Sequence, residues 1–123
     1  KIITSKIINI SQIYCTGLSM GGYGTLALSI KRPELFAAVA PVCGGVDERN
    51  FFHLDKIKDL PIWMFHGDED DVIPVSNSER VFEGLRQKNK QVKLTKYRGV
   101  GHNAWDRTYQ NQELYNWILK HKK

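Results

Sequence analysis

The sequence predicts an α/β domain in which a mostly parallel sheet carries helices on its faces. Two patterns predict it. Apolar, β-prone runs alternate with segments of helical periodicity, the order a parallel sheet needs because each crossover carries a helix. The first three of those runs are apolar without alternation, as strands buried on both faces are.

The elements read in order as follows. Residues 1–9 carry Ile2, Ile3, Ile7 and Ile8 and read as the end of an amphipathic helix. Residues 13–18 form a short β-prone run that stops at Ser19. Residues 20–31 read as a helix, with Leu26 and Ile30 one turn apart and Pro33 as the stop. Residues 36–43 make a second apolar run, ended by Gly44 and Gly45, and residues 46–60 are polar and irregular with room for a short helix. Residues 62–65 are a third apolar run, between Pro61 and the His66-Gly67 pair. Ser76 and Glu79 have capping-box spacing ahead of a helix through Val81, Phe82 and Leu85. Residues 92–97 alternate apolar and polar, the pattern of a half-buried or edge strand. A glycine-containing loop, residues 98–103, precedes a last amphipathic helix with Leu114, Trp117 and Ile118. No repeat, low-complexity segment or linker divides the chain.

Composition narrows the class. The chain has 123 residues, 41% hydrophobic and 25% charged, which is one domain at most and an ordinary globular composition. No apolar run is long enough to span a bilayer, so a membrane is not an expected partner. The formal charge is +5. The positive residues are spread along the chain and no aromatic residues interleave with a basic stripe, so nucleic acid is not an expected partner either. Cys15 and Cys43 each lie in an apolar run and read as buried free thiols, with a disulfide between neighbouring strands left open. No CxxC pair or His/Cys cluster points to a metal, and nothing implies an organic cofactor. The chain begins at Lys1 rather than Met and so reads as a processed product, an excised domain or a truncated chain. It contains no signal-peptide core. A targeting segment upstream would escape this reading, so a secreted or periplasmic location stays open.

Gly17-Leu18-Ser19-Met20-Gly21 fits G-x-S-x-G, directly after an apolar strand and before a helix, which is the setting of a nucleophile elbow. Such a turn puts the serine oxygen at a helix N-terminus, where backbone N–H groups and the helix dipole favour negative charge. The Met20 N–H is then one oxyanion donor. The run lacks the G-K-[ST] ending of a phosphate loop and the spacing of a dinucleotide fingerprint. A serine nucleophile needs a base, and the base an orienting carboxylate, in the chain order Ser, acid, His. Asp68, Glu69, Asp70 and Asp71 follow the third strand, and any of them fits the acid. His66 precedes them beside a glycine, a setting that suits a structural hydrogen bond. His102, in Gly99-Val100-Gly101-His102-Asn103, follows the fourth strand and is the candidate base. All three groups then lie at C-terminal strand ends, where sites form in such sheets. Trp105 is a candidate to line the substrate pocket, with simple packing as the alternative.

At this point the sequence resembles the α/β-hydrolase superfamily, in particular the esterases and predicted peptidases related to dienelactone hydrolases, feruloyl esterases and polyhydroxybutyrate depolymerases. The stretches that carry the resemblance run from Ile13 to Gly24, Pro41 to Gly45, Phe65 to Val75 and Gly99 to Asp106. The family pattern H-G-x-x-D-x-x-V/I-P implies Asp70 as the acid. The resemblance implies a carboxylic ester hydrolase working through an acyl-enzyme on a small-molecule ester, with a serine peptidase or a binding module that lacks catalysis as alternatives. No oligomeric state is implied. In the family the elbow follows the fifth of eight strands, so residues 1–123 correspond to the C-terminal part of a single catalytic domain. The first strands and the loop that gives the second oxyanion donor are then expected outside them. Loss of one such donor typically costs about 10²–10³ in turnover. These residues alone are therefore expected to be inactive or weakly folded unless a partner chain completes the sheet.

Overall fold

The computed structural model describes residues 9–123. The amphipathic helix end read in residues 1–9 rests on residues outside this range. Four strands form one sheet in chain order: β1 (Tyr14–Leu18), β2 (Ala38–Val42), β3 (Ile62–Gly67) and β4 (Val92–Tyr97). Every pairing is parallel. Helix α1 (Met20–Lys31) joins β1 to β2, and Pro33 opens a single 3₁₀ turn after it. The short helix α2 (Glu48–Phe51) and a second 3₁₀ turn (Leu54–Ile57) lie between β2 and β3. Helix α3 (Ser76–Leu85) joins β3 to β4, and α4 (Ala104–Tyr109) and α5 (Gln112–Leu119) follow β4.

Period-two alternation sorts the strands' side chains into two cores. Val39, Ile62, Met64 and Val92 pack with Leu26 and Ile30 of α1 and Val81 and Leu85 of α3 on one face. Ala38, Ala40, Val42, Trp63, Phe65 and Tyr97 pack with Ala104 of α4 and Leu114 and Trp117 of α5 on the other. The central strands β2 and β3 are buried along their whole length, as their continuous apolar runs require. Among the described residues β4 sits at an edge, with Val92 and Tyr97 buried at its ends and Lys93 and Lys96 exposed between them. It carries Lys93 and Lys96, charges that discourage edge-to-edge pairing. Lys93 lies 3.6 Å from the Trp63 ring and Lys96 pairs with Glu79 at 2.8 Å.

Three sequence readings differ from the structure. β1 was expected to be buried on both faces, yet Thr16 and Leu18 are exposed. Among the described residues β1 has a strand neighbour on one side only. The capping box is not formed. Val75 is the N-cap of α3, no side chain caps the helix, and Glu79 is turned to Lys96 instead. Helix α4 has no counterpart in the sequence reading, because six residues beginning with Ala104 show too little periodicity. Neither cysteine is in a disulfide. Cys43 is buried and Cys15 only half-buried.

Asn89 closes the crossover into β4. Its side-chain amide donates to the carbonyls of Ile57 at 2.9 Å and Leu60 at 2.8 Å, and its oxygen accepts from the Gln91 N–H at 2.8 Å. It is 1% exposed, so water cannot replace those partners. Asn89→Leu is expected to cost about 1–3 kcal/mol for each buried group left unpaired. The check is a fall in the urea midpoint with an unchanged slope.

Candidate active site

The parallel register decides what meets at the site. Leu18 lies opposite Val42, Val42 opposite Phe65, and Gly67 opposite Tyr97. The strands therefore end on one edge, and the residues that follow them face each other. Those residues are Ser19, Cys43, the acidic turn and the His102 loop.

Ser19 is the N-cap of α1, at φ 56° and ψ −117°. A non-glycine residue there carries strain on the order of 1–3 kcal/mol, which the surrounding structure must hold. The Ser19 N–H donates to the Val42 carbonyl at 2.9 Å, and the Ser19 carbonyl accepts from Gly22 and Tyr23. The turn is tight enough that a Cβ on Gly17 would run into the Gly21 carbonyl. The other motif glycine, Gly21, makes no such contact: its Cβ position is open. Gly22 is the second close contact, where a Cβ would lie 2.6 Å from the Val42 carbonyl. The Met20 N–H heads the helix, where first-turn N–H groups have no intrahelical acceptor. Its side chain is 85% exposed.

Of the four carboxylates, Asp68, Glu69 and Asp71 are exposed and Asp70 is buried. Asp70 Oδ1 accepts from the Val72 N–H at 2.9 Å and the Ile73 N–H at 2.8 Å. Asp70 Oδ2 lies 2.8 Å from His102 Nδ1, and His102 Nε2 lies 3.0 Å from Ser19 Oγ. A carboxylate only accepts, so Nδ1 carries the ring proton and Nε2 is free to accept from the serine hydroxyl. Burial opposes the Asp70 charge, but the bonds from His102, Ile73 and Val72 outweigh it and hold the carboxyl below the usual range. Asp68 serves a different purpose: its carboxylate accepts from the Gly99 N–H at 2.8 Å and ties the acidic turn to the His102 loop. Trp105 of α4 meets the His102 ring edge-on, centroids 5.2 Å apart.

The structure thus brings Ser19, Asp70 and His102 into one hydrogen-bonded line, with Met20 at its head and Trp105 against its imidazole. His66 is not part of that line. It is fully buried, with Nδ1 2.7 Å from Ser78 Oγ and Nε2 2.7 Å from the Ile73 carbonyl. The sequence reading overlooked two features. One is the pair of backbone donors at Val72 and Ile73, although an Asp that accepts from N–H groups two and three residues on is a common local turn. The other is Cys43, at φ 43° and fully buried. Its sulfur, an Asp70 oxygen and a His102 nitrogen lie within 4.8 Å of one another. Burial pushes the thiol up to about 11, against the nearby Ser19 N–H and with the help of the Asp70 charge. A protonated thiol beside an acid and a base that already satisfy each other is poor material for a metal centre.

A serine on a strained strand-to-helix turn, on the carboxyl edge of a parallel sheet covered by helices on both faces, defines an α/β-hydrolase fold. The chain belongs to the phospholipase/carboxylesterase family, whose model matches residues 2–121. Among solved structures it is similar to a thermostable esterase, with 40% identity and a TM-score of 0.89 over 94% of this chain and 32% of that one. It is also similar to Arabidopsis thaliana SOBER1, at 22% identity and a TM-score of 0.76, over 94% of this chain and 55% of that one. A PHB depolymerase shares the fold at 13% identity and a TM-score of 0.67, over 77% of this chain and 40% of that one. No curated protein matches the chain. The chain spans about a third of the thermostable esterase and about half of SOBER1. The esterase resemblance seen in the motifs therefore holds at the level of family and fold. Among the described residues no helix is long and apolar enough to cross a membrane.

The Asp70 environment has a consequence for stability. Its folded-state carboxyl lies below its unfolded value, so the native state favours the ionised form. That contribution is complete above the unfolded aspartate value of about 3.9 and is lost as pH falls through the lower, folded value. Asp70→Asn is expected to flatten the acid arm of the stability curve. Urea melts of both proteins between neutral pH and pH 3 would show it, and parallel arms would contradict it.

Proposed function

We propose that the protein is a carboxylic ester hydrolase acting through an acyl-enzyme, with Ser19 as nucleophile, His102 as base and Asp70 as the acid that orients the base. The observation that carries the proposal is the continuous line from Asp70 Oδ2 to His102 Nδ1 at 2.8 Å and from His102 Nε2 to Ser19 Oγ at 3.0 Å. In the first half-reaction Ser19 Oγ bonds to the ester carbonyl carbon while its proton passes to His102 Nε2. The imidazolium then protonates the leaving alcohol as the carbon–oxygen bond breaks. In the second half-reaction water, losing its proton to His102, attacks the acyl carbon. Ser19 leaves with the proton that His102 returns. Asp70 keeps its charge throughout and stabilises the imidazolium. The Met20 N–H, at the head of α1, supplies one oxyanion donor. On this reading the 123 residues are the C-terminal part of a single catalytic domain, and the second donor comes from outside them.

The substrate is a small-molecule ester. Met20, which follows Ser19, and Val72, two residues after Asp70, are 85% and 64% exposed, so apolar side chains lie open near the site. Trp105, edge-on to His102, borders it. Paired ester and amide substrates separate this reading from a serine peptidase, which needs the same three residues.

In the full-length protein, Ser19→Ala is expected to lower kcat for an aryl acetate by about 10⁶-fold, and Asp70→Asn by about 10⁴-fold. A fluorophosphonate probe should label the wild type at Ser19 and leave Ser19→Ala unlabelled. Undiminished turnover by clean Ser19→Ala protein would overturn the assignment.

A further inference from the structure

We propose that His66, backed by Ser78, is a positioning residue for Asp70: it fixes the turn that aims one carboxylate oxygen at His102. This rests on the esterase reading above and concerns a residue that takes no part in the proton path itself.

Four successive residues, 68–71, carry carboxylates, and only Asp70 turns inward. Two backbone donors, Val72 and Ile73, hold Oδ1, but backbone donors orient a carboxylate only if the turn that presents them is itself fixed. His66 fixes it. The Ile73 carbonyl can only accept, so His66 Nε2 carries the proton and donates to it at 2.7 Å. Ile73 is therefore held through its carbonyl by His66 while its N–H holds Asp70. His66 Nε2 also lies 3.4 Å from Asp70 Oδ2, the oxygen that faces His102. The same N–H thus presents its positive end to the oxygen that must stay charged when the imidazolium forms.

The other side of the ring is anchored as firmly. His66 Nδ1 accepts from Ser78 Oγ at 2.7 Å, and that hydroxyl also lies 3.2 Å from the Gly44 carbonyl. His66 is 0% and Ser78 2% exposed. The ring is therefore locked between α3 and the acidic turn, with no water to replace a lost partner. The titratable groups close to Asp70 are His66 at the end of β3, Cys43 after β2 and His102 after β4. Among the described residues the basic partners of Asp70 are these two histidines.

The arrangement separates two roles. A side chain that only fills the core changes stability and leaves the chemistry alone. A positioning residue changes how well Asp70 supports the charged form of His102. His66→Leu removes both hydrogen bonds at similar volume. His66→Gln restores a donor near the Nε2 position and an acceptor towards Ser78. Ser78→Ala leaves the Nε2 donor but frees the ring behind it.

In the full-length protein, His66→Leu is expected to lower kcat for an aryl acetate by up to about 10²-fold, the scale of a misplacement of roughly 1 Å, with KM little changed. The acid limb of the kcat/KM profile should move to lower pH, because the imidazolium loses part of its carboxylate support. His66→Gln should recover most of both, and Ser78→Ala should fall between. If His66→Leu does not fold, Ser78→Ala and His66→Gln decide through the same limb. An acid limb identical to wild type in all folded variants, or a His66→Gln protein as impaired as His66→Leu, would overturn the proposal. A wild type that hydrolyses no ester would instead overturn the esterase reading. In that case the NMR titration of the His102 ring still tests His66: Ser78→Ala and His66→Leu should lower its midpoint, and an unmoved midpoint would refute the positioning role.

Discussion

A carboxylate removed from water must be surrounded by donors, and much of this structure is arranged around that requirement at Asp70. The cost of leaving such a group unpaired is several kcal/mol, more than any single contact nearby can offset. Asp70 meets the requirement with two backbone N–H groups of its own turn and the Nδ1–H of His102. Satisfying the carboxylate therefore fixes the acidic turn, the orientation and tautomer of an imidazole, and the direction in which that imidazole's free nitrogen points. It points at Ser19. The loop that carries His102 is held close by a second carboxylate, Asp68, through the Gly99 N–H, and by Gly67. A Cβ on Gly67 would overlap the Val100 carbonyl.

The sheet provides the other constraint. Parallel strands in this register bring four chain segments to one edge without any of them travelling far. Two of the residues at that edge, Ser19 and Cys43, adopt positive φ. Strain of this kind persists only where neighbouring structure over-determines it. Here the neighbours are the bond from the Ser19 N–H to the Val42 carbonyl, the bond from the Cys43 N–H to the Phe65 carbonyl, and the glycine contact between the start of α1 and the end of β2. The elbow and the turn beside it are thus held by the same strands whose ends they occupy. The cores on both faces support them. α1 and α3 press on one side of the sheet, and α4 and α5 on the other.

Much of this was legible in the sequence. The order of strands and helices follows from apolar runs and breaker residues, and the meeting of Ser19, an acid after β3 and His102 follows from chain order plus a parallel sheet. Which of four neighbouring carboxylates turns inward was not legible from spacing. Asp70 came from family resemblance, and the structure shows the physical difference, burial against two backbone donors. Tertiary effects hid the rest. The exposure of Thr16 and Leu18 depends on what lies beside β1, not on their own run of residues. Glu79 has the spacing for a cap, but Lys96 on the adjacent strand holds it at 2.8 Å. Helix α4 is too short to register as a period, and it is fixed by Ala104 and Thr108 packing under Tyr97. Cys43 reads as one more apolar strand residue until the positive φ turns it towards the site.

The central claim is that Asp70 accepts the Nδ1 proton of His102 and so prepares Nε2 for Ser19. The most direct measurement is the proton NMR spectrum of the exchangeable imidazole hydrogens in the full-length protein. A hydrogen held between a ring nitrogen and a buried carboxylate should give one strongly downfield resonance, assigned to His102 Nδ1 by ¹⁵N labelling. It should vanish in His102→Gln and move sharply upfield in Asp70→Asn, while persisting in Ser19→Ala. A His102 resonance unchanged by Asp70→Asn would contradict the account.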